Sequence, residues 1–328
     1  MLAFALGTGL ALSACSGANN PVNDLGGSPA ESPAKVSDSN AAVAGALGQT
    51  KMTTQSSTTA KTTWQKELDS ILSPLSGQQM EGDVYRYELI RYDAEPVIQG
   101  YRTNPNLGAD GYLSFKPEGG EYLVVGEMVL LDKDIAAVTR LFELNGVHLT
   151  ALHNHLSFEE PDLKFLHFDA VGDAATYARV VREALEKTGE PLKDPSQNMS
   201  TGLPITQMAA ILKEPYQTSD NVLQFTADRK ETVTDHGLDM PGPEGPDSEL
   251  HFEKVGGTTM AVPEFALVPE EVDRVVKVLR GNNFNVTAIH NHWLFENPRI
   301  IFVHASGIGD PLTLARVVRE ALDQTNSK

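Results

Sequence analysis

A chain of 328 residues, of which 41% are hydrophobic, is long enough for two domains of ordinary size and too apolar to be disordered throughout. Its 44 acidic and 26 basic residues give a formal charge of −18, which excludes nucleic acid as a partner because phosphate binding needs an excess of Lys and Arg. The single cysteine, Cys15, excludes an internal disulfide bond.

The N-terminal residues have the pattern of an export signal. Leu2 to Ala11 form an apolar run of signal-peptide length, too short to cross a membrane as a helix of about 20 residues, and no Lys or Arg precedes it. The sequence Leu-Ser-Ala-Cys that ends at Cys15 resembles the lipobox of bacterial lipoproteins, in which the cysteine carries the lipid. We therefore expect residues 1–15 to be a lipoprotein signal peptide. Cys15 would then anchor the protein to a membrane outside the cytoplasm, at the periplasmic face, in the outer membrane or at the cell surface. An ordinary secretory signal is the alternative.

The next segment, residues 16–62, is predicted to be a flexible tether. It is rich in Ser, Thr, Asn, Gly, Ala and Pro, and it lacks the apolar periodicity needed to offset the entropy of ordering. The remainder is a tandem duplication, because residues 150–185 and 287–322 are identical at 21 of 36 positions at a constant shift of 137. We predict two repeats, at residues 63–190 and 191–328.

Each repeat contains the same order of predicted elements. In the first repeat they are a strand (Tyr122 to Leu130), a helix (Asp134 to Asn145), a strand (Val147 to Leu156), a returning strand (Leu163 to Phe168) and a helix from the N-cap Asp173 to about Lys187. This β-α-β-β-α order predicts an α+β fold with a ferredoxin-like core in each repeat. Because the returning strand is apolar on both faces, the sheets of the two repeats are expected to pack on each other.

Six of the nine histidines follow the duplication. The sequence His-Asn-His occurs at residues 153–155 and 290–292, and another histidine follows twelve residues after each copy. The same shift pairs a glutamate in each repeat. The predicted metal ligands are therefore Glu127, His153, His155 and His167 in the first repeat, and Glu264, His290, His292 and His304 in the second.

Strand geometry predicts that the ligands of one repeat converge. Side chains at positions i and i+2 of a strand share a face, which places His153 beside His155. With a turn near Pro161, His155 would lie opposite His167, and a right-handed crossover would bring the strand of Glu127 alongside. We therefore expect two metal sites, one in each repeat.

Imidazole with one carboxylate suits a divalent transition metal. Zn is the ion expected first, and Mn, Fe, Ni and Cu are also compatible. A metal-free pair of histidines that acts as acid and base, and a purely structural polar cluster, are the alternatives.

Two glutamates in the turn are candidate catalytic residues. Glu159 and Glu296 lie four residues past the second histidine of each motif, where a carboxylate could act as a base beside a metal. A solvated loop position is the alternative interpretation. His148, His236 and His251 have no histidine counterpart at the 137 shift and are interpreted as incidental.

The chain resembles the LppY/LpqO family of bacterial lipoproteins, a tandem domain of unknown function. The resemblance covers Trp64 to the C-terminus and rests on Ala-Leu-His-Asn-His at 151–155, Pro161, Phe165 with His167, Gly172-Asp173, the helix that follows, and the equivalents from Ala288 onward. It implies an exported lipoprotein with two tandem domains, and it supplies no reaction.

The sequence leaves four functions open. The first is a lipoprotein that stores, transfers or senses a metal. The second is a metal-dependent hydrolase or oxidoreductase of the cell envelope. The third is a metal-free phosphoesterase, although His155 and His292 occupy the positions where such enzymes need Ser or Thr. The fourth is a metal-free module that binds carbohydrate or peptide, for which Trp293, Tyr101 and Tyr112 are the candidate aromatic residues.

Overall fold

The computed structural model describes residues 60–157 and 159–327. The predicted signal peptide, Cys15 and nearly all of the predicted tether lie outside the described residues. Within them, each repeat forms a six-stranded antiparallel sheet with helices on one face. No helix in the described part of the chain is both long and apolar enough to span a membrane.

The two repeats contain corresponding elements. The first has α1 (Thr63–Leu72), β1 (Gln78–Gln79), β2 (Tyr85–Ile90), β3 (Val97–Ile98), β4 (Tyr101–Arg102), α2 (Pro105–Gly108), β5 (Asp110–Glu118), β6 (Glu121–Leu130), α3 (Asp132–Leu144), β7 (His148–His153), β8 (Glu159–Glu160), β9 (Lys164–Gly172) and α4 (Ala174–Thr188). The second has α5 (Ile205–Leu212), β10 (Tyr216–Ser219), β11 (Val222–Ala227), β12 (Val233–Asp235), β13 (Leu238–Met240), β14 (Ser248–Val255), β15 (Thr258–Leu267), α6 (Pro269–Gly281), β16 (Asn285–His290), β17 (Ile301–Gly309) and α7 (Pro311–Leu322). Short 3₁₀ helices lie at Glu81–Asp83 and Gly242–Glu244.

The strand orders of the two sheets are the same. They are β1-β2-β5-β6-β9-β7 in the first repeat and β10-β11-β14-β15-β17-β16 in the second. The α+β class and the tandem duplication are therefore confirmed. The ferredoxin-like topology is not confirmed, because the strand beside β6 is β5, which precedes it, whereas that fold needs a strand that follows α4.

The alternation of side chains along β9 explains why this strand is apolar on both faces. Leu166 and Phe168 belong to the core beneath the helices, where Phe168 packs on Phe142 of α3 at a ring distance of 4.7 Å. Phe165 and His167 point to the opposite face, where Phe165 stacks on His155 and His167 stacks on His292 of the second repeat. One strand thus contributes to two separate interiors.

The faces without helices pack against each other. Leu123 and Val125 of the first sheet share one buried cluster with Ala266, Phe302 and Trp293 of the second repeat. The predicted stacking of the two sheets is therefore observed, and the residues between them are shielded from water on both sides.

Side-chain contacts at the starts of the helices are also duplicated between the two repeats. Asp173 accepts a hydrogen bond from the backbone N–H of Thr176 (2.8 Å) and caps α4, as the sequence predicts. At the start of α3, Asp134 binds the buried Arg91 (2.9 Å). Glu271 binds Arg229 (2.8 Å) in the same way at α6. These arginines are 138 residues apart, one more than the constant shift of 137, which hides their equivalence in the sequence.

The strand that carries the first His-Asn-His motif is shorter than predicted. The sequence predicts a strand up to Leu156, but β7 ends at His153 and the chain bends at His155. The pairing also differs, because Ala151, and not His155, lies opposite His167. His155 therefore lies outside the strand, contrary to the prediction, although its ring still stacks beside that of His153 at 5.0 Å.

Candidate metal centre

Each repeat contributes one glutamate–histidine pair from adjacent strands. Glu127 of β6 lies directly opposite His167 of β9, and His167 Nε2 is 3.3 Å from Glu127 Oε2. Glu264 of β15 lies opposite His304 of β17, with a corresponding distance of 3.6 Å. Cross-strand pairing alone brings these side chains together, as the sequence predicts for the strand of Glu127.

The asparagine between the histidines fixes the bend that follows the strand. In the first repeat, the Asn154 side-chain amide donates to the Leu163 carbonyl (3.0 Å). In the second, the Asn291 amide donates to the Trp293 carbonyl (2.8 Å). The backbone thereby leaves the sheet directly after the first histidine. The ring of the second histidine then stacks on a phenylalanine of the neighbouring strand, Phe165 for His155 (3.5 Å) and Phe302 for His292 (3.4 Å).

Main-chain carbonyls set the orientation of the first histidine in each motif. The Nδ1–H of His153 donates to the Asn154 carbonyl, and that of His290 donates to the Asn291 carbonyl, both at 3.3 Å. A carbonyl can only accept, so Nδ1 carries the proton and Nε2 keeps its lone pair. In histidines that bind metals, a carbonyl that accepts a hydrogen bond from the other ring nitrogen commonly selects this tautomer.

The six histidines meet between the repeats in three pairs, each of which joins the two halves. The ring-centroid distances are 3.6 Å for His153–His290, 3.8 Å for His155–His304 and 3.7 Å for His167–His292. The 137-residue shift maps these pairs onto one another, so they follow an approximate two-fold axis. The six histidines with Glu127 and Glu264 are called the inter-repeat cluster below. The expectation of a separate site in each repeat is wrong, because the ligands of both repeats form this one cluster.

Three subsets of the inter-repeat cluster place ligand atoms within 4.8 Å of one another. They are Glu127, His155, His167 and His292; His155, Glu264 and His304; and His153, His155, His290 and His292. Every subset draws on both repeats. His155 belongs to all three, so it is the side chain on which the whole arrangement most depends.

Burial determines the protonation of the inter-repeat cluster. Desolvation lowers the pKa of all six imidazoles, to about 4 for His153 and about 3 for His290. Burial raises the pKa of Glu127 well above its ordinary value, and the nearby Asp110 adds to this shift. It raises the pKa of Glu264 in the same direction, reinforced by the Glu127 carboxylate. Burial therefore favours the neutral forms of both the imidazoles and the carboxyl groups of the cluster.

Many of the polar atoms in the inter-repeat cluster have no hydrogen-bond partner among the residues that the structure describes. The Nε2 atoms of all six histidines are buried and unpartnered, as are the Nδ1 atoms of His167 and His292. Leaving such a group unsatisfied costs about 1–3 kcal/mol. A cation that accepts several imidazole lone pairs would remove this cost, and six imidazoles with two carboxylates are a donor set that fits a divalent transition metal.

A small cavity adjoins the inter-repeat cluster. The cavity has a volume of about 50 Å³. Its lining includes Glu127, Glu264, His155, His292 and His304 of the cluster, together with Arg86, Tyr112, Asp110, Glu249 and His251. The Arg86 guanidinium lies 4.1 Å from the centre of the Tyr112 ring and 3.3 Å from Glu249. The ligand set therefore borders a space large enough for a few waters.

Comparison with known proteins places both repeats in one family. The model of the family described as a domain of unknown function, DUF1259, matches residues 66–187 and 206–324. The chain belongs to the DUF1259 family.

The other comparisons add little to this assignment. No curated protein matches the DUF1259 chain. Among solved structures, a fused permuted hexameric shell protein from the RMM microcompartment is similar over 63% of this chain and 82% of its own, at 13% identity and a TM-score of 0.16. A score this low carries no argument about fold or function. The resemblance to the LppY/LpqO lipoproteins stays a prediction.

The two candidate catalytic glutamates lie outside the three ligand subsets of the DUF1259 chain. Glu159 is in β8, opposite Ile98, and burial raises its pKa to about 8. Glu296 is buried beside Arg299 (2.9 Å), and desolvation raises its pKa as well. The structure therefore assigns neither residue to a ligand subset of the inter-repeat cluster.

Three histidines that the sequence marks as incidental have carboxylate neighbours in the DUF1259 structure. His148 and His236 both approach Asp169, and His251 lies near Asp110 and Glu249. They have no histidine counterpart in the other repeat, so the duplication that reveals the inter-repeat cluster contains no signal for them.

The aromatic residues proposed for carbohydrate binding are mostly buried. Trp293 is fully buried between the repeats and Tyr112 is 6% exposed. Neither offers a surface for stacking on a sugar, so this evidence no longer favours a carbohydrate-binding module.

Proposed function

We propose that this protein is an exported lipoprotein whose inter-repeat cluster binds divalent transition metal ions, in order to store, transfer or sense them. The observation that carries the proposal is the set of six buried, unpartnered Nε2 atoms beside two carboxyl groups. Zn(II) is the ion that best suits imidazole and carboxylate ligands without cysteine, and Mn, Fe, Ni and Cu remain compatible.

The protonation of the inter-repeat cluster favours metal binding. Its imidazoles are neutral at physiological pH, so metal binding need not displace protons from them. Burial raises the pKa of Glu127 and Glu264, so the protonated forms, which cannot bind a cation, persist to higher pH than usual. A bound cation would favour the carboxylate form and reverse the effect of burial. The affinity should therefore increase with pH.

Elemental analysis of the full chain, purified without a histidine tag, tests the proposal. We expect one or two equivalents of metal in the inter-repeat cluster. His155→Gln should lower the affinity of every equivalent there by at least about 100-fold, because this residue belongs to all three ligand subsets. Glu159→Gln is the matched control, because Glu159 is buried and lies outside these subsets. A chain that binds no transition metal would overturn the proposal.

The same variant distinguishes a shared cluster from separate sites. If each repeat held its own metal, His155→Gln would leave the ion in the second repeat at full affinity. If the ligands are shared as the ring pairs suggest, no equivalent in the inter-repeat cluster keeps the wild-type affinity.

The cavity supports a second candidate, a metal-dependent hydrolase or oxidoreductase of the cell envelope. A metal next to about 50 Å³ of open space could bind and acidify a water molecule, and Arg86 could attract a small anion. Azide titrated into the Co(II)-loaded protein tests this candidate. A change in the cobalt absorption that Arg86→Met weakens would support an open catalytic site, and an unchanged spectrum would favour a closed storage site.

The membrane location has its own test. Lipidation of Cys15 would place the wild-type protein in the membrane fraction of the producing bacterium and Cys15→Ala in the soluble fraction. Equal distribution of the two proteins would contradict the lipid anchor and leave the metal proposal unaffected.

A further inference from the structure

A second group of ligand-type side chains lies between the repeats. His148 of β7 and His236, in the loop between β12 and β13, both approach Asp169 of β9. His148 Nδ1 is 2.7 Å and His236 Nε2 is 3.1 Å from the same carboxylate oxygen, Asp169 Oδ1. The two imidazole rings are 5.3 Å apart. Two residues come from the first repeat and one from the second, and none belongs to the inter-repeat cluster.

The carboxylates of this group have unused oxygen atoms. Asp169 is fully buried, and its Oδ2 has no hydrogen-bond partner. Asp235 is also fully buried, both of its oxygens lack hydrogen-bond partners, and its Oδ2 is 3.7 Å from His236 Nε2. Burying a carboxylate without a cation or a full set of donors is costly. These oxygens point to a cation that interacts with the group.

At the equivalent positions of the other half of the molecule, the side chains are neutral and are not of the metal-ligating type. Gln99 occupies the hairpin position of His236, since each is followed by a glycine with positive φ and lies between two paired strands. Gln99 donates to the Ser306 hydroxyl (2.5 Å), and Ser306 is the counterpart of Asp169 at the 137 shift. Asn285 likewise replaces His148. A neutral amide–hydroxyl contact therefore suffices to dock this hairpin.

We infer that His148, Asp169 and His236 form a further binding site for a divalent transition metal, with Asp235 as an additional carboxylate. Two imidazoles and a carboxylate are a ligand set for Zn(II), Ni(II) or Fe(II). The side chain of His148 is 54% exposed, so water can complete the coordination. The site is distinct from the inter-repeat cluster, although Asp169 lies only two residues from His167, or about 7 Å along the strand.

The ion would also connect the repeats. His236 belongs to the second repeat and sits at the tip of the β12–β13 hairpin, while Asp169 and His148 belong to the first sheet. The competing explanation is a simple ion pair in which a protonated histidine neutralises Asp169. An ion pair needs no metal, so metal binding distinguishes the two.

The test compares the wild-type chain with His148→Asn/Asp169→Ser/His236→Gln, which installs the three residues found at the equivalent positions of the other half. Both proteins are purified without a histidine tag, stripped with a chelator, and dialysed against Zn²⁺ at pH 7.5. The variant should bind one equivalent less than the wild type, and the affinity for that equivalent should fall by at least about 100-fold. Equal stoichiometry and affinity in the two proteins would overturn the inference and leave the ion pair.

A second measurement covers the case in which the triple variant does not fold. Diethyl pyrocarbonate modifies accessible imidazoles. His148 is half exposed, whereas His155, His167, His292 and His304 of the inter-repeat cluster are buried and His153 and His290 are half-buried. In the wild-type protein, Zn²⁺ should protect His148 and His236 from modification, mapped by mass spectrometry. His148→Asn should raise the Zn²⁺ concentration needed to protect His236 by at least about 100-fold. Modification of both histidines that is unaffected by Zn²⁺ would overturn the inference.

The result is independent of the proposed function. His155→Gln removes metal from the inter-repeat cluster only, and the triple variant removes it from the further site only. If only His155→Gln loses an equivalent of metal, the assignment of the inter-repeat cluster holds and that of the further site fails. If only the triple variant loses one, the reverse is true.

Discussion

Glu159 shows how much the surroundings of a single side chain can change its chemistry. Its carboxyl group is buried, and a contact with the Leu163 backbone and the charge of Lys164 only partly offset the loss of water. Burial therefore raises its pKa to about 8. In the unfolded chain the same group ionises near pH 4.5, so the folded protein binds a proton that the unfolded chain releases.

We expect Glu159 to make the protein less stable as the pH rises from about 4.5 to about 8. The group is neutral in both states below this range, and above it the folded protein must bury a charge. Full linkage across the window amounts to at most about 5 kcal/mol. Urea unfolding between pH 5 and 8 measures the effect, and Glu159→Gln should remove this part of the pH dependence. An unchanged dependence in the variant would show that the carboxyl group is already ionised at low pH.

The sequence predicts the ligands of the inter-repeat cluster better than their arrangement. Alternation in β6 and β9 is sufficient to pair Glu127 with His167, because both residues lie in long regular strands. It fails for His155, since the strand ends at His153 and the bend that follows depends on the Asn154 hydrogen bond. Contacts between the repeats depend on how two sheets dock, and sequence periodicity contains no information about that.

Strand β6 depends on the absence of a side chain at one position. A Cβ atom on Gly126 would lie 2.3 Å from the Phe168 ring, which packs in turn on Phe142 of α3. Atoms in a folded core do not approach so closely, so the ring or the strand would have to move. Because β6 also contains Glu127, such a movement would reach the metal ligands.

We expect Gly126→Ala to destabilise the protein by about 1–3 kcal/mol, the usual cost of overpacking a core. Thermal or urea unfolding measures this change. Gly281→Ala is the control, because no atom lies within 4 Å of the added Cβ at this exposed helix end and the variant should be neutral or slightly stabilised. Equal stability of both variants would mean that the Phe168 ring moves without cost.

The elements themselves are largely predictable, and their pairing is less so. The strands, helices and caps of each repeat follow from periodicity and from residues such as Asp173, which caps α4. The position of β5 beside β6 does not follow, because the same β-α-β-β-α order is compatible with more than one neighbour for the first strand. The equivalence of Arg91 and Arg229 is hidden by a one-residue shift.

At the scale of the whole molecule, the two repeats share both a hydrophobic interface and a set of ligands. Leu123 and Val125 of one sheet pack with Ala266 and Phe302 of the other, next to the paired histidines. A metal bound in the inter-repeat cluster would therefore stabilise both repeats at once, since neither repeat alone supplies a complete ligand subset.

Zn²⁺ at 100 times its dissociation constant should stabilise the folded protein by about 2.7 kcal/mol for each site, equivalent to a rise in Tm of roughly 5–10 °C. We expect a single unfolding transition that shifts as a whole in scanning calorimetry. His155→Gln/His292→Gln should lose the part of the shift that comes from the inter-repeat cluster. Two transitions, of which metal moves only one, would contradict a shared centre.

The approximate two-fold axis through the histidine pairs has a consequence for the ancestry of the molecule. A chain with one such repeat could complete its ligand set only by associating with a second copy across that axis, and metal uptake would then depend on protein concentration. Joining the copies in one polypeptide makes assembly intramolecular and allows the sequences of the two halves to differ. Asp169 in one half and Ser306 in the other illustrate that freedom, which a symmetric homodimer encoded by one gene does not have.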